Sequence, residues 1–223
     1  TARYIISIVQ IRLKEDGSFE TINQPDSGQN FADKNFRFFP RSVTLGPNEA
    51  QIVKVQVIKT AELKTGEYRS HMYFRAEPEK KPLGEENSKK DSSSISVRLM
   101  PVFGISIPVI IRVGESTTGI HFSKISFGFE KDSIPKVKMI LNRTGNMSVY
   151  GDITVDYLSP EGNETRVGNV KGMAVYTPNA SRQFILLLNK NTGIDYHKGS
   201  LHIVFTDLSG SREKVAQEQI YLR

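Results

Sequence analysis

Apolar and polar residues alternate with a period of two along most of this chain, and no long stretch repeats every 3.6 residues. Ile5 to Leu13 reads as a strand, closed by the turn residues Lys14-Glu15-Asp16-Gly17-Ser18. Arg37-Phe38-Phe39 leads into Pro40, Val43 and Leu45 follow, and Gly46-Pro47-Asn48 marks a tight turn. Ile52 to Val57 and Tyr68 to Phe74 read as the next strands. Residues 78–94 are rich in Lys, Glu, Ser, Pro and Gly and read as a long mobile loop. Gly114-Glu115-Ser116-Thr117-Thr118 reads as a linker. Beyond it, strands are expected over residues 120–127, 137–141, 149–157, 174–176, 184–188, 201–205 and 215–222. Met147, Val149, Ile153, Val155 and Tyr157 share one face, while Ser148, Asp152, Thr154 and Asp156 share the other, as in a half-buried strand. Short strands separated by turn residues predict an all-β chain of two β-sandwich domains, residues 1–113 and 119–223, joined by 114–118.

The stretch 95–113 departs from this pattern by its length. Val97, Leu99, Pro101, Phe103, Ile105, Ile107, Val109 and Ile111 all share one parity. A strand this long can outrun its own sandwich. The overhang then offers alternate apolar side chains beside an unpaired backbone edge, the requirements for adding a strand to a partner. Pro101 and Pro108 each remove a ladder donor, which suits an edge strand better than a central one. The plainer reading is that this is the last strand of the first domain.

Composition narrows the chemistry. Hydrophobic residues make up 38% and charged residues 24% of the 223 residues, enough for a packed core. The absence of Cys excludes disulfides, thiolate metal sites and thiol catalysis. The formal net charge of +6 is moderate and does not demand nucleic acid. No stretch has the roughly 20 apolar residues of a membrane helix, so no membrane insertion is expected. The chain opens on Thr1-Ala2-Arg3 directly ahead of a strand, as a trimmed product would.

The four histidines, His71, His121, His197 and His202, are dispersed, and no metal site is expected from them. No catalytic residue and no cofactor is expected, since neither a Gly-x-Ser-x-Gly elbow nor a phosphate loop is present. Asn142-Arg143-Thr144, Asn146-Met147-Ser148, Asn163-Glu164-Thr165 and Asn179-Ala180-Ser181 fit the glycosylation sequon and read as chance matches.

An ordered set of stretches resembles the PapD-like family of periplasmic pilus-assembly chaperones. They are Phe38-Phe39-Pro40-Arg41-Ser42-Val43-Thr44-Leu45-Gly46-Pro47, Gln51-Ile52-Val53-Lys54-Val55, Gly66-Glu67-Tyr68-Arg69-Ser70-His71, Tyr73-Phe74-Arg75, Val97-Arg98-Leu99 and Ile105 to Arg112. In the second domain Leu141-Asn142-Arg143-Thr144-Gly145-Asn146 and Ser148-Val149-Tyr150-Gly151-Asp152 are similar to a branch of these chaperone-like proteins. The resemblance implies two immunoglobulin-like sandwiches, the first lacking its first two strands, because Tyr4 to Leu13 matches the family's third. It implies a periplasmic protein that is not an enzyme and that lends a donor strand to a fimbrial or pilus-like subunit. An outer-membrane usher is a further implied partner.

Carried onto this chain, the donor strand falls on Val97, Leu99, Phe103, Ile105 and Ile107. A charged cluster between domains falls on Lys54, Glu67 and Arg112. The family anchors the subunit's terminal carboxylate with an Arg on its first strand and a Lys on the donor strand. No basic residue lies at Ser106 to Pro108, and Arg98 is the remaining candidate anchor. Two other readings stay open: a structural or adhesive surface protein without a client, and pairing of the donor edge with a second copy.

Overall fold

The computed structural model describes residues 1–77, 101–131, 133–190, 193–209 and 214–222. The expected loop at 78–94 and the start of the long strand, with Val97, Arg98 and Leu99, lie outside the described residues.

The protein is all-β. Among the described residues fourteen strands follow in order: β1 Ala2–Leu13, β2 Phe19–Ile22, β3 Phe36–Phe39, β4 Ser42–Leu45, β5 Lys54–Val57, β6 Gly66–Glu77, β7 Gly104–Val113, β8 Gly119–Glu130, β9 Ile134–Thr144, β10 Val149–Leu158, β11 Glu164–Val175, β12 Ser181–Leu187, β13 Ser200–Asp207 and β14 Lys214–Tyr221. Among the described residues the helical structure is a single 3-10 turn at Thr60–Glu62.

The chain divides into two compact units built from separate segments. The first comprises Thr1–Gln10, Phe31–Leu63 and Arg69–Ile110, and the second Ile11–Asn30, Lys64–Tyr68 and Ile111–Arg223.

The second unit is a sandwich. A sheet in the order β11-β10-β13-β14 faces a sheet in the order β12-β9-β8. Period two decides what enters the core. On β9, Val137, Met139 and Leu141 are buried while Lys136, Lys138 and Ile140 alternate with them. On β10, Val149, Ile153, Val155 and Tyr157 are buried, joined from β13 by Leu201, Ile203 and Phe205. The hairpin between β9 and β10 turns at Gly145, with φ +80°, where a Cβ would run into the main chain of Thr117.

In the first unit β1 lies between β4 and β6, with β7 beyond β6; β4 pairs with β1 through Ala2↔Leu45 to Ile5↔Ser42. Tyr4↔Ala76 and Ile6↔Phe74 set the β1–β6 register. β3 and β5 form a separate two-stranded sheet. Its buried apolar residues are Ile6, Ala32, Phe36, Phe38 and Met72. The Arg41 guanidinium stands 4.1 Å from the centroid of the Phe38 ring and covers its face.

Candidate binding surface

β7 is the outermost strand of its sheet, with β6 as its one neighbour among the described residues. The approach to it is fixed by Ala76 N–H, which donates to the Phe103 carbonyl at 2.9 Å. Phe103, Ile105 and Ile107 are 75%, 67% and 49% exposed. Large apolar side chains at alternate positions on a free edge are what native sheets normally avoid. Of the expected donor residues, these three therefore form one exposed row.

A second exposed apolar area lies on β5. Phe36↔Val57 and Phe38↔Val55 are opposite pairs, yet the phenylalanines are buried while Val55 and Val57 are about half exposed. β5 has no neighbour but β3 among the described residues. Phe39 and Ile52 are also largely exposed, and with Pro40, Val43 and Lys54 they line an open cleft of about 440 Å³. Sequence reasoning missed this second apolar area. Period two gives a strand's two faces but not whether a neighbouring strand covers them.

Glu67 and Arg112 come together. The Glu67 side chain is fully buried, and Arg112 Nε donates to its Oε2 at 3.2 Å. Ser148 N–H donates to the same oxygen at 3.0 Å, and the Ser148 hydroxyl donates to Oε1. Thr177 Oγ1 donates to Oε1 at 3.3 Å, and Arg112 Nη2 donates to the Ser148 carbonyl at 3.0 Å. A buried carboxylate needs donors of this kind to offset its lost hydration. All these groups lie within the second unit. Lys54 does not join them: it is exposed on β5 in the first unit and enters no ion pair among the described residues. So the structure assembles two of the three expected charges and adds Ser148 and Thr177.

Arg143 and His71, a buried guanidinium and a buried imidazole, were not expected from the sequence. Arg143 ties the hairpin turn by donating to the carbonyls of Asn179, Gly145 and Met147 at 2.9, 2.8 and 3.0 Å. His71 is buried on β6, opposite Val9, and its Nδ1 has no hydrogen-bond partner among the described residues. Burial first, and the charge of Arg69 second, push its pKa down to about 4.

No family model and no curated protein matches the chain. Among solved structures, DesR, a β-glucosidase from Streptomyces venezuelae crystallised with D-glucose, aligns at 10% identity with a TM-score of 0.32. The alignment covers 50% of this chain and 16% of that one, so the chain spans a small part of the neighbour's length.

Proposed function

We propose that this chain is a periplasmic chaperone that binds a strand-deficient fimbrial or pilus-like subunit through the free edge of β7. The observation that carries this reading is the exposed row Phe103, Ile105 and Ile107 on a strand edge with no partner among the described residues. The resemblance to the PapD-like family supports it. No bond is made or broken in the process. The subunit gains backbone hydrogen bonds from the edge and fills a groove with alternate side chains.

Magnitudes say both parts are needed. Fully burying a residue such as Phe or Ile yields roughly 1.5–3 kcal/mol. Three such residues then give about 4–9 kcal/mol, which overlaps the roughly 4–15 kcal/mol lost on association. The main-chain ladder must supply the remainder. An outer-membrane usher would be the acceptor of the loaded complex.

The missing cation at Ser106 to Pro108 favours a second reading, a structural or adhesive surface protein with no client. Pull-down from the periplasm separates the two. A captured subunit that is lost on Phe103→Asp and on Ile105→Asp, both still folded by circular dichroism, is expected. Unchanged co-elution with those variants would sink the chaperone reading.

A further inference from the structure

Four stretches of the chain fit Asn-x-Ser/Thr, and the fold treats them unequally. The Asn142 amide lies near the C-terminal end of β9 and donates to Ser123 Oγ at 2.8 Å and to the His121 carbonyl at 3.3 Å. The Asn146 amide donates to the Glu115 carbonyl at 2.9 Å while its oxygen accepts from Thr117 N–H at 2.9 Å. The hydroxyl of its partner, Ser148, is buried against Glu67. The Asn179 amide donates to the Leu13 carbonyl. Each of these three nitrogens is already committed to a carbonyl or hydroxyl within the fold.

Asn163 is different. It ends the turn Ser159-Pro160-Glu161-Gly162-Asn163 between β10 and β11, and residues 161–165 are all exposed. Its main chain closes the turn, through Ser159 N–H donating to the Asn163 carbonyl at 2.9 Å and Asn163 N–H donating to Ser159 Oγ at 3.2 Å. Its side-chain amide makes no hydrogen bond among the described residues. Thr165, the hydroxyl two residues on, is exposed at the start of β11 opposite Tyr157. Glu161 adds an anionic contact on the same turn, its carboxyl held below the usual range by Ser159. The acceptor and its recognition hydroxyl are thus both free, at a hairpin end where fraying is easy.

We infer that Asn163 is an N-glycan acceptor and that the fold selects it over the other three sequons. The donor class is an oligosaccharide linked to a lipid through pyrophosphate. Asn163 Nδ2 forms a bond to the anomeric carbon, and the bond from that carbon to the pyrophosphate oxygen breaks. The lipid pyrophosphate leaves with the electron pair, and an amide proton passes to the transferase base. A glycan there sits on an exposed turn of the second unit, where it adds bulk without displacing an internal contact.

The test incubates the purified folded chain with an oligosaccharyltransferase and a lipid-pyrophosphate-linked oligosaccharide. Glycopeptide mass spectrometry then locates the sugar. One glycan per chain at Asn163 is expected, abolished by Asn163→Gln and by Thr165→Val and retained by Thr165→Ser. A peptide spanning residues 159–167 serves as the unfolded control. Transfer to the peptide but not to the folded chain overturns the inference, as does transfer to neither. Modification of the folded chain at Asn142, Asn146 or Asn179 overturns the claim of selection.

Discussion

Glu67 is the residue on which the second unit depends most visibly. Removing its carboxylate takes one acceptor at once from the Arg112 guanidinium, the Ser148 amide and hydroxyl, and the Thr177 hydroxyl. Arg112 keeps partial access to water, which softens the loss. Glu67→Ala is therefore expected to cost about 2–4 kcal/mol in chemical denaturation, whereas Lys54→Ala stays within about 0.5 kcal/mol. Equal effects of the two would disprove the asymmetry. His71 gives a pH dependence with a definite sign. Its folded pKa of about 4 lies below the ordinary 6.5, so between these values the unfolded chain binds more protons. The stability from its neutral form is complete above pH 6.5 and is lost as pH falls toward 4. The loss is expected to be about 1–3 kcal/mol, and His71→Gln should flatten that part of the curve. An unchanged slope in the variant would show that another group governs the acid limb. At this scale the sequence is only partly informative. Glu67 and Arg112 stood out through a resemblance, but Ser148 and Thr177 carry no pattern of their own. Hydroxyl residues on a strand face read as solvated until the neighbouring strand is placed.

Elements were more legible than their neighbours. Alternation at Met147, Val149, Ile153, Val155 and Tyr157 marked the buried face of β10, and all five are buried. The opposite face was less simple: Asp156 is buried and paired with Arg166, and Ser148 is buried at Glu67. β11 was expected only at its apolar end, near 174–176, because Glu164 to Gly172 holds just two apolar residues, Val167 and Val170. Pairing with β10 rather than its own composition makes that stretch a strand. The edges of β7 and β12, both apolar, also differ in a way no alternation shows. β12 carries exposed Ile185 and Leu187 on an outer edge, but that edge is closed near both ends. Gln183 N–H donates to the Glu15 carbonyl at 2.8 Å, and Asn189 N–H to the Val167 carbonyl at 2.7 Å. A short open window of this kind resists addition of a strand. β7 has no such closure among the described residues. Ile105→Lys should therefore reduce concentration-dependent association in analytical ultracentrifugation, and Ile185→Lys should leave it unchanged. Association removed equally by both, or by Ile185→Lys alone, would count against β7 as the adhesive edge.

At the scale of the whole molecule, composition and period establish an all-β chain, and the segments that complete each unit need coordinates. The change of character near residues 114–118 is visible in the sequence as a run of small polar residues. Nothing in composition says that Ile11–Asn30 and Lys64–Tyr68 group with Ile111–Arg223. Their contributions are specific. Glu15 closes the β12 edge, the Leu13 carbonyl accepts from Asn179, and Glu67 binds Ser148 and Thr177. A fragment starting at residue 119 loses all of these, along with Arg112. It keeps the apolar core shared by β8 to β14, so it should still fold. Each lost hydrogen bond contributes about 0.5–1.5 kcal/mol, and several are lost together, so a deficit of roughly 3–6 kcal/mol is expected. For a unit of this size that lowers the melting midpoint by about 10 °C or more relative to the same unit in the whole chain. Differential scanning calorimetry of the two, with the second unit's transition assigned through the Gly151→Ala variant, provides the comparison. That marker is suitable because a Cβ at Gly151 would run into the Thr206 carbonyl and the Phe205 ring, both inside the second unit. Coincident midpoints for fragment and whole chain would mean that the sandwich of β8 to β14 is self-sufficient and that the borrowed segments only decorate it.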